Sequence, residues 1–438
     1  MRSAPKVSNA RLILVVLIWT CPFILLVDGA IVHGLCAGLA AAGIAIVALA
    51  MRPGEAQFLI SMIRPVAALA TVPALWIVIQ LLPLRAIANP IWVSTEAAVG
   101  HPLAGSISID FGASVLALGL YLIAGAVALL SAAVAVDRQR AEWILFALMG
   151  ATALIALVLL THDLAGLAFL SSIDALSERS QAVDCTVIGT IVAATAGIRT
   201  LERYEARQVD PGRSVAGLVW TFAACGAALL ICTVALALAS TDAAMIPMGY
   251  GFGALIAIFI VRRLGLGPWG IIAIAVPAIG LAVLLIASEP GLRAKGVALA
   301  FASPAPSALT SASQHILDDT AWTGTGAGTF AAMMPIYRGI DDPANSTPPT
   351  AVAALSIELG RPMLGLILAM IVGAIVILLR ASLRRGRDFF YPAAGAGCLI
   401  ALLLLSFMNA GILGTATAII AAAVFGLAFA QSKSRAVQ

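Results

Sequence analysis

Twelve apolar runs, separated by short polar segments, dominate the chain. Most of them are about 17–24 residues long, which is enough for a helix to cross the roughly 30 Å hydrocarbon core of a bilayer. The pattern predicts an all-α, polytopic integral membrane protein with about 12 transmembrane helices in a single domain, residues 1–438. The predicted spans are 12–27, 30–50, 65–83, 112–134, 144–161, 185–198, 216–239, 246–261, 270–287, 360–379, 389–408 and 412–430.

The composition supports this class. Apolar residues make up 62% of the chain and charged residues only 11%, which excludes a water-soluble globular domain. All six cysteines fall within predicted spans, where they are expected to be small core residues. The four histidines lie far apart, and the chain has no P-loop or glycine-rich nucleotide motif. We therefore expect neither a metal site nor a bound cofactor.

The basic residues predict the orientation. If the N-terminus is cytoplasmic and every run crosses, 19 of the 25 Lys and Arg residues lie inside and 6 outside, which satisfies the positive-inside rule. The net charge of +4 then divides into an excess of positive charge inside and of negative charge outside. It reflects membrane topology, so no nucleic acid partner is expected. Both termini are predicted to be cytoplasmic.

Three polar segments are long enough to carry function on the periplasmic side. They are residues 84–111, 162–184 and 288–359, of which the last is the large periplasmic loop. Loops of this length are usually functional or disordered. In the large loop we expect a partly helical cap of short helices at the membrane surface. One of these helices would be capped by Ser311 or Ser313 and would run through Leu317.

The large loop also contains the most distinctive motif. Gly324, Gly326 and Gly328 alternate with small residues, and Phe330 and the pair Tyr337-Arg338 follow. Glycines at this spacing allow a tight bend or a close approach of backbone amides to a ligand. The segment 355–360 (LSIELG) then leads into the next span.

These residues resemble the O-antigen ligase and polymerase superfamily. The glycine motif, the acidic-Leu-Gly entry to a span, the number of spans and the late large loop are all similar to that family. The segments Asn89-Pro90-Ile91-Trp92 and Ser106–Asp110 look like the early periplasmic loop of the same proteins. The direct match covers about 100 residues, and the rest of the chain agrees only in hydropathy.

The resemblance implies an enzyme of the bacterial cell inner membrane. Such enzymes transfer a glycan from an undecaprenyl-diphosphate carrier to an acceptor at the outer leaflet, with inversion and without a metal. The acceptor is another carrier-linked glycan in a polymerase and the lipid A–core in a ligase. The implied role is in exopolysaccharide or lipopolysaccharide biosynthesis. The partners are these glycans, the lipid bilayer and further polysaccharide assembly proteins.

A diphosphate leaving group requires cations that stabilise its negative charge. Few arginines lie in the segments that are predicted to be periplasmic. Arginine suits this task because its planar fork can bind phosphate oxygens in a bidentate manner. We rank Arg179, Arg338 and Arg293 as diphosphate-binding candidates in that order, and the resemblance implies such a role for a basic residue in the loop of Arg179. Each could instead be an ordinary surface arginine. Arg85 and Arg361 border spans and are expected to be interface anchors.

The reaction also needs a group that accepts a proton from the attacking hydroxyl. Glu358 matches the acidic position of the family motif, as base or as an orienting group, and His315 is a second catalytic candidate. Glu358 could also be a favourable charge at a helix N-terminus, and His315 an ordinary surface residue. Gly324, Gly326, Gly328 and Tyr337 are expected to form the substrate loop. In many ligases a His-Asn pair precedes the acidic motif; its place is taken here by residues 348–350 (PPT), which favours a polymerase.

Two other classes of function remain open. A transporter or flippase would carry charged residues inside its spans, whereas the predicted spans are almost uncharged. The third hypothesis is a non-catalytic scaffold of a polysaccharide assembly complex. The chemistry-bearing residues gather in segments predicted to share one face of the membrane, which favours the enzyme.

Overall fold

The computed structural model describes residues 5–27, 29–51, 53–165, 176–207, 215–239, 242–265, 307–339, 347–386 and 388–433. Every regular element in these ranges is a helix. Two short 3₁₀ helices, Arg85–Ile87 and Gly411–Leu413, accompany the α-helices. The α-helices are α1 (Pro5–Ile24), α2 (Ala30–Ala50), α3 (Pro53–Leu81), α4 (Ile91–Val99), α5 (Phe111–Ala135), α6 (Arg138–Ala165), α7 (Leu176–Arg207), α8 (Val215–Leu238), α9 (Asp242–Arg263), α10 (Ser307–Asp319), α11 (Phe330–Tyr337), α12 (Ala351–Glu358), α13 (Arg361–Arg384), α14 (Phe390–Ser406) and α15 (Thr415–Ala430).

Among the described residues, eight helices are long and apolar enough to cross a membrane. They are α2, α3, α5, α6, α7, α8, α9 and α13, while α1, α14 and α15 contain shorter apolar stretches. The prediction of a multi-pass, all-helical membrane protein is thus confirmed, and the number of twelve spans stays a prediction. The predicted span 270–287 lies outside the described residues.

The largest difference between the predicted and the observed helices is at α7. The predicted span 185–198 is too short, because the helix extends from Leu176 to Arg207. In its most apolar stretch 94% of the residues are buried, against 11% in α13, so α7 lies at the centre of the bundle and α13 at its periphery. Its Arg199 is tolerated inside the bundle because it pairs with Glu142 of α6. For α7 the premise of an almost uncharged span is therefore wrong.

Small residues allow the central helices to pack closely. Helix α7 contacts α6, α8, α9 and α14, and α5 packs along α15. Gly426 of α15 lies so close to α5 that an added Cβ would overlap the Ala128 carbonyl. The Ser131 hydroxyl of α5 donates to the Ala423 carbonyl of α15 at 2.7 Å. Small-residue contacts and polar bonds between helices are the usual basis of packing where burial in lipid gives little driving force.

The bundle has two chemically different ends. Helix α5 begins beside the glycine motif, since its Ser114 bonds to Ala327, and its other end leads into Arg138 of α6. We call the first the motif end and the second the basic end. Predicted cytoplasmic residues gather at the basic end, where Arg138 pairs with Asp388 and Arg203 with Glu142, each at 2.6 Å. Which end faces the cytoplasm stays a prediction from the positive-inside rule.

Helices α10, α11 and α12 form a small unit at the motif end. Their shared core contains Leu309, Ile316, Phe330, Met334 and Ile357, with Ile109 packed against it. The predicted short helices in the large loop are thus confirmed, but the predicted N-cap at Ser311 or Ser313 is wrong. A periplasmic location of these helices stays a prediction. Helix α10 begins at Ser307, so Ser311 and Ser313 lie inside it. The Ser313 hydroxyl donates to the carbonyl of Leu309 one turn earlier, an alternative that serine hydroxyls have to capping.

The predicted topology can be tested with single exposed cysteines. Asp318 on α10 and Tyr204 on α7 are exposed, and the six native cysteines are buried. We expect Asp318→Cys in intact cells to react with a membrane-impermeant maleimide, and Tyr204→Cys to react only after the membrane is opened. The wild-type chain is the control for native thiols. The reverse labelling pattern would contradict the assignment of the motif end to the periplasm.

Candidate functional site

The glycine motif adopts a backbone that other residues rarely adopt. Gly324, Gly326 and Gly328 have φ angles of +83°, +109° and +75°. Positive φ is strained for residues with a Cβ. At Gly324 an added Cβ would also overlap the carbonyl of Glu358. The motif therefore folds as a tight irregular turn pressed against the end of α12.

The early loop and the glycine motif meet at this turn. The Ile109 amide donates to the Thr325 carbonyl at 3.0 Å, and the Ser114 hydroxyl donates to the Ala327 carbonyl at 2.8 Å. The hydroxyls of Ser108 and Ser114 are 2.7 Å apart. Two segments more than 200 residues apart in the chain thus share one buried hydrogen-bond network. They are the two segments that carry the resemblance.

Helix α3 adds two polar side chains to the same network. The Gln80 amide nitrogen donates to the carbonyls of Thr323 at 3.0 Å and Glu358 at 2.9 Å. The Gln80 backbone carbonyl accepts from the Ser108 amide at 3.0 Å, and Trp76 donates to the Leu359 carbonyl at 2.9 Å. Gln80 is fully buried, and its amide nitrogen bonds to protein carbonyls in place of water, whereas its Oε1 has no hydrogen-bond partner among the described residues. It therefore joins the early loop, the glycine motif and α12.

Glu358, the last residue of α12, belongs to the same hydrogen-bond network. Its carboxylate accepts hydrogen bonds from the backbone amides of Phe330, at 3.2 Å, and Gly328. Only 9% of the residue is exposed. Burial raises the pKa of Glu358 to about 7, although the two amides act in the opposite direction. This geometry favours the orienting role over that of a base, because the carboxylate holds the glycine motif and the first turn of α11.

The diphosphate-binding candidates lie in different surroundings. Arg179 makes a bidentate ion pair with Asp163 of α6, with N–O distances of 3.1 and 3.2 Å, and Asp163 also contacts the ring of His162. Arg338 directly follows α11 and is exposed. Arg293 lies outside the described residues. Arg179 is thus held in a defined position by an acidic partner, whereas Arg338 is open to solvent.

Helix α12 connects the glycine motif to the cluster around α7. The Thr350 hydroxyl accepts from the Ala353 amide and caps the helix, and the Ala351 amide donates to the Asn409 carbonyl at 2.8 Å. The Asn409 side chain in turn donates to Asp184 of α7 at 2.9 Å. An eight-residue helix is about 12 Å long. The two polar clusters of the motif end are therefore joined by one short rigid element.

The remaining candidates lie on α10 and α11. His315 is exposed on α10 while its neighbours Ile316 and Leu317 are buried. The Tyr337 hydroxyl donates to Asp319 at 3.0 Å and so joins the ends of the two helices. Tyr337 is therefore a contact between helices, and His315 is available to solvent.

The structure also shows a large cavity at the basic end. Its volume is about 1400 Å³, and its lining includes Arg138, Glu142, Trp143, Arg203 and Trp220. The arginines of this cavity are already paired, Arg138 with Asp388 and Arg203 with Glu142. This cavity lies at the opposite end of the bundle from the glycine motif and Glu358, so we place the candidate site at the motif end.

Several residues of the motif end escaped sequence analysis. Gln80 is an isolated polar residue within an apolar run, a signal that could have identified it. Asp163 and Asp184 were assigned to the periplasmic loop 162–184, but they lie on α6 and α7. Asn409 lies between two predicted spans and was not singled out. Their roles depend on contacts between distant segments, which no local pattern encodes.

No protein-family model and no curated protein matches this chain. The assignment to the O-antigen ligase and polymerase superfamily therefore rests on the motif resemblance, and it is a proposal.

Replacement of Gly326 by alanine tests the fold of the glycine motif. The new Cβ would lie 2.5 Å from the Ser108 hydroxyl oxygen, on a backbone with φ of +109°. We expect a loss of about 2 kcal/mol or more in stability, measured by thermal unfolding in detergent. Gly365→Ala in α13 is the matched control, because nothing lies within 4 Å of its Cβ and alanine favours a helix. Equal stability of the two variants would contradict the packing described for Gly326.

The raised pKa of Glu358 predicts a pH-dependent stability. Since the folded pKa of about 7 lies above the ordinary value, the contribution of this group is full below about pH 4 and is lost as the pH rises through about 7. We expect the unfolding midpoint of the wild type to fall more between about pH 5 and pH 8 than that of Glu358→Gln, which keeps the acceptor oxygen but cannot ionise. The exposed Asp318→Asn is the control and should behave as the wild type. A steeper fall in Glu358→Gln would contradict the assignment.

Proposed function

We propose that the protein is a bacterial inner-membrane glycan polymerase or ligase. It transfers a glycan from an undecaprenyl-diphosphate carrier to an acceptor glycan at the outer leaflet, and a polymerase is favoured. The observation that carries the proposal is the contact between the early loop and the glycine motif. The Ile109–Thr325 and Ser114–Ala327 bonds unite the two segments of the resemblance at one end of the bundle.

The proposed reaction exchanges one bond at the anomeric carbon of the donor glycan and transfers one proton. An acceptor hydroxyl attacks the anomeric carbon of the donor glycan, the bond from that carbon to the diphosphate breaks, and the hydroxyl proton passes to a base. Undecaprenyl diphosphate leaves with the negative charge. Protein cations stabilise this charge as it develops, which is usually the largest electrostatic contribution to such a transfer.

The proposed cations are Arg179 and Arg338, with Arg293 as a third candidate. Arg338 is exposed and needs no displacement of a partner to bind phosphate. Arg179 is 32% exposed and is oriented by the bidentate pair with Asp163. Because Asp163 fixes the guanidinium, part of its fork is presented in a constant direction. In this proposal Arg179 is the oriented cation and Arg338 the solvent-exposed one. Together they bind the diphosphate of the carrier during transfer and release it afterwards.

The proton acceptor is sought among exposed groups rather than at Glu358. Glu358 is buried and its carboxylate is bound to two amides, so an acceptor sugar has no direct access to it. Its proposed role is to position the glycine motif. His315 on α10 is exposed and is the first candidate for the base.

The proposed cationic role predicts the activity of arginine variants. Arg338→Ala and Arg179→Ala should each reduce polymer formation by at least about tenfold, the loss that corresponds to about 1.4 kcal/mol of transition-state stabilisation. Lysine at either position should rescue poorly, because it offers a point charge without the bidentate fork. The readouts are polymer length and carrier-linked intermediate in a deletion strain, with the amount of protein in the membrane measured in parallel.

Arg85→Ala is the matched control for this experiment. Arg85 is exposed on the same predicted face, and among the described residues its side chain donates only to the Leu103 carbonyl at 3.2 Å, so its loss should leave polymer formation unchanged. Wild-type polymer in both Arg179→Ala and Arg338→Ala would contradict the proposed diphosphate site. Loss of polymer in Arg85→Ala as well would show that the assay responds to surface charge in general.

A further inference from the structure

The large cavity at the basic end changes character along its length. Its volume of about 1400 Å³ exceeds the roughly 300–1000 Å³ of a pocket for a drug-sized ligand. Arg138 and Arg203 line it at the end of the bundle, and Phe146 and Met149 line it further along α6. Met149 lies about 16 Å from Arg138 along the helix axis. The lining is therefore ionic where α6 begins and apolar towards the middle of the span.

The cavity reaches the outer surface of the bundle at α6 and α8. Helix α8 is peripheral, because only 28% of its most apolar stretch is buried, against 94% for α7. Trp143 of α6 and Trp220 of α8 line the cavity and are 56% and 77% exposed. Each lies about 7.5 Å along the axis from the start of its helix. Tryptophan is enriched at this depth, the level of the lipid headgroups. A lipid of the adjacent leaflet can therefore enter with its headgroup at the ionic end and its chains at the apolar end.

The lining carries both signs of charge. Glu142 binds Arg199 and Arg203 together, so this group of three has one positive charge in excess. The Arg203 side chain is 51% exposed, and Glu142 occupies only part of its five N–H donors. Glu202 also lines the cavity and is partly exposed, and among the described residues it makes no ion pair or hydrogen bond. One positive and one negative group thus face the same cavity from neighbouring positions of α7.

The arginines whose charges act on Glu202 are bound to other groups. Arg262 donates to the backbone carbonyl of Ser382 at 2.7 Å, and Arg138 pairs with Asp388 at 2.6 Å. Glu202 therefore keeps its acceptor oxygens for water or for a ligand in the cavity.

We propose that the cavity binds the headgroup of one phosphatidylethanolamine molecule from the leaflet at the basic end. The phosphate accepts hydrogen bonds from Arg203, and the primary ammonium donates to Glu202. The first part of the acyl chains lies along Phe146 and Met149. A site with only basic residues favours anionic lipids, whereas this lining has complementary groups for both charges of a zwitterion.

The same groups distinguish this lipid from two others. Phosphatidylglycerol has the phosphate but no cation for Glu202. Phosphatidylcholine has a cation without N–H groups, so it cannot donate a hydrogen bond to the carboxylate. The cavity lies at the opposite end of the bundle from the glycine motif, so the lipid site does not depend on the proposed transferase activity.

Thermal unfolding of the delipidated full-length protein in detergent tests the proposal. The three lipids are added with identical acyl chains and at the same mole fraction, at about pH 8, where a solvated carboxylate is ionised. We expect the midpoint to be higher by about 2 °C or more with phosphatidylethanolamine than with either other lipid, because a ligand that binds the folded state stabilises it. Native mass spectrometry of the same samples should show about one retained phosphatidylethanolamine per chain.

Variants assign the preference to the two groups of α7. Glu202→Gln should remove the advantage of phosphatidylethanolamine over the other two lipids. Arg203→Gln should weaken the stabilisation by phosphatidylethanolamine, and it leaves Glu142 paired with Arg199, so that folding is retained. Asp318→Asn, which is exposed at the motif end, is the control and should keep the wild-type preference.

Three results would overturn the proposal. The first is equal midpoints of the wild type with the three lipids, and the second is a higher midpoint with phosphatidylglycerol or phosphatidylcholine. The third is a preference for phosphatidylethanolamine that survives unchanged in Glu202→Gln or in Arg203→Gln, because the lipid would then bind elsewhere on the protein.

Discussion

The structure of the motif end depends on one requirement, the satisfaction of buried backbone polar groups in an irregular turn. Residues 323–328 cannot form helical hydrogen bonds, and much of the turn is buried. In such a place each unpaired amide or carbonyl would cost roughly 1–3 kcal/mol. Gln80, Ser114, Glu358 and the Ile109 amide supply partners to this turn and its flank.

This requirement explains why distant segments converge. The early loop donates the Ile109 amide, and α5 donates the Ser114 hydroxyl. Helix α3 donates the Gln80 amide, and α12 contributes the Glu358 carboxylate. Each segment satisfies groups that another exposes, so removal of one leaves the others unpaired. A network of this kind specifies one arrangement more strongly than apolar packing does. It gives a membrane protein a rigid polar surface on which charged groups such as Arg338 can be presented.

The sequence predicts the class of fold well because hydropathy is a local property. Helix α2 has the predicted bounds, 30–50, and the ends of α5 and α8 differ from the prediction by one residue. The prediction fails at α7, where Arg199 and Asp184 were taken to mark the ends of a span. Inside a bundle an arginine can be compensated by Glu142, and an aspartate can lie beside a glycine turn. Hydropathy does not record such pairs.

The candidate site was predictable only in part. The tight bend of the glycine motif was predicted from its composition, and Glu358 was singled out from its place in the motif. The hydrogen bonds between Gln80 and that motif could not be predicted, because a single glutamine in an apolar run gives no sequence signal for its partner. The same holds for Asn409, which connects α7 to α12. Contacts between residues hundreds of positions apart arise from the packing of whole helices.

The most direct test of the proposed transferase site is an experimental structure of the protein with bound undecaprenyl diphosphate. We predict that the diphosphate lies at the motif end, within hydrogen-bond distance of Arg338 or Arg179, beside a glycine motif still bonded to Gln80 and Glu358. A diphosphate bound instead in the cavity between Trp143 and Trp220 at the basic end would contradict the proposal.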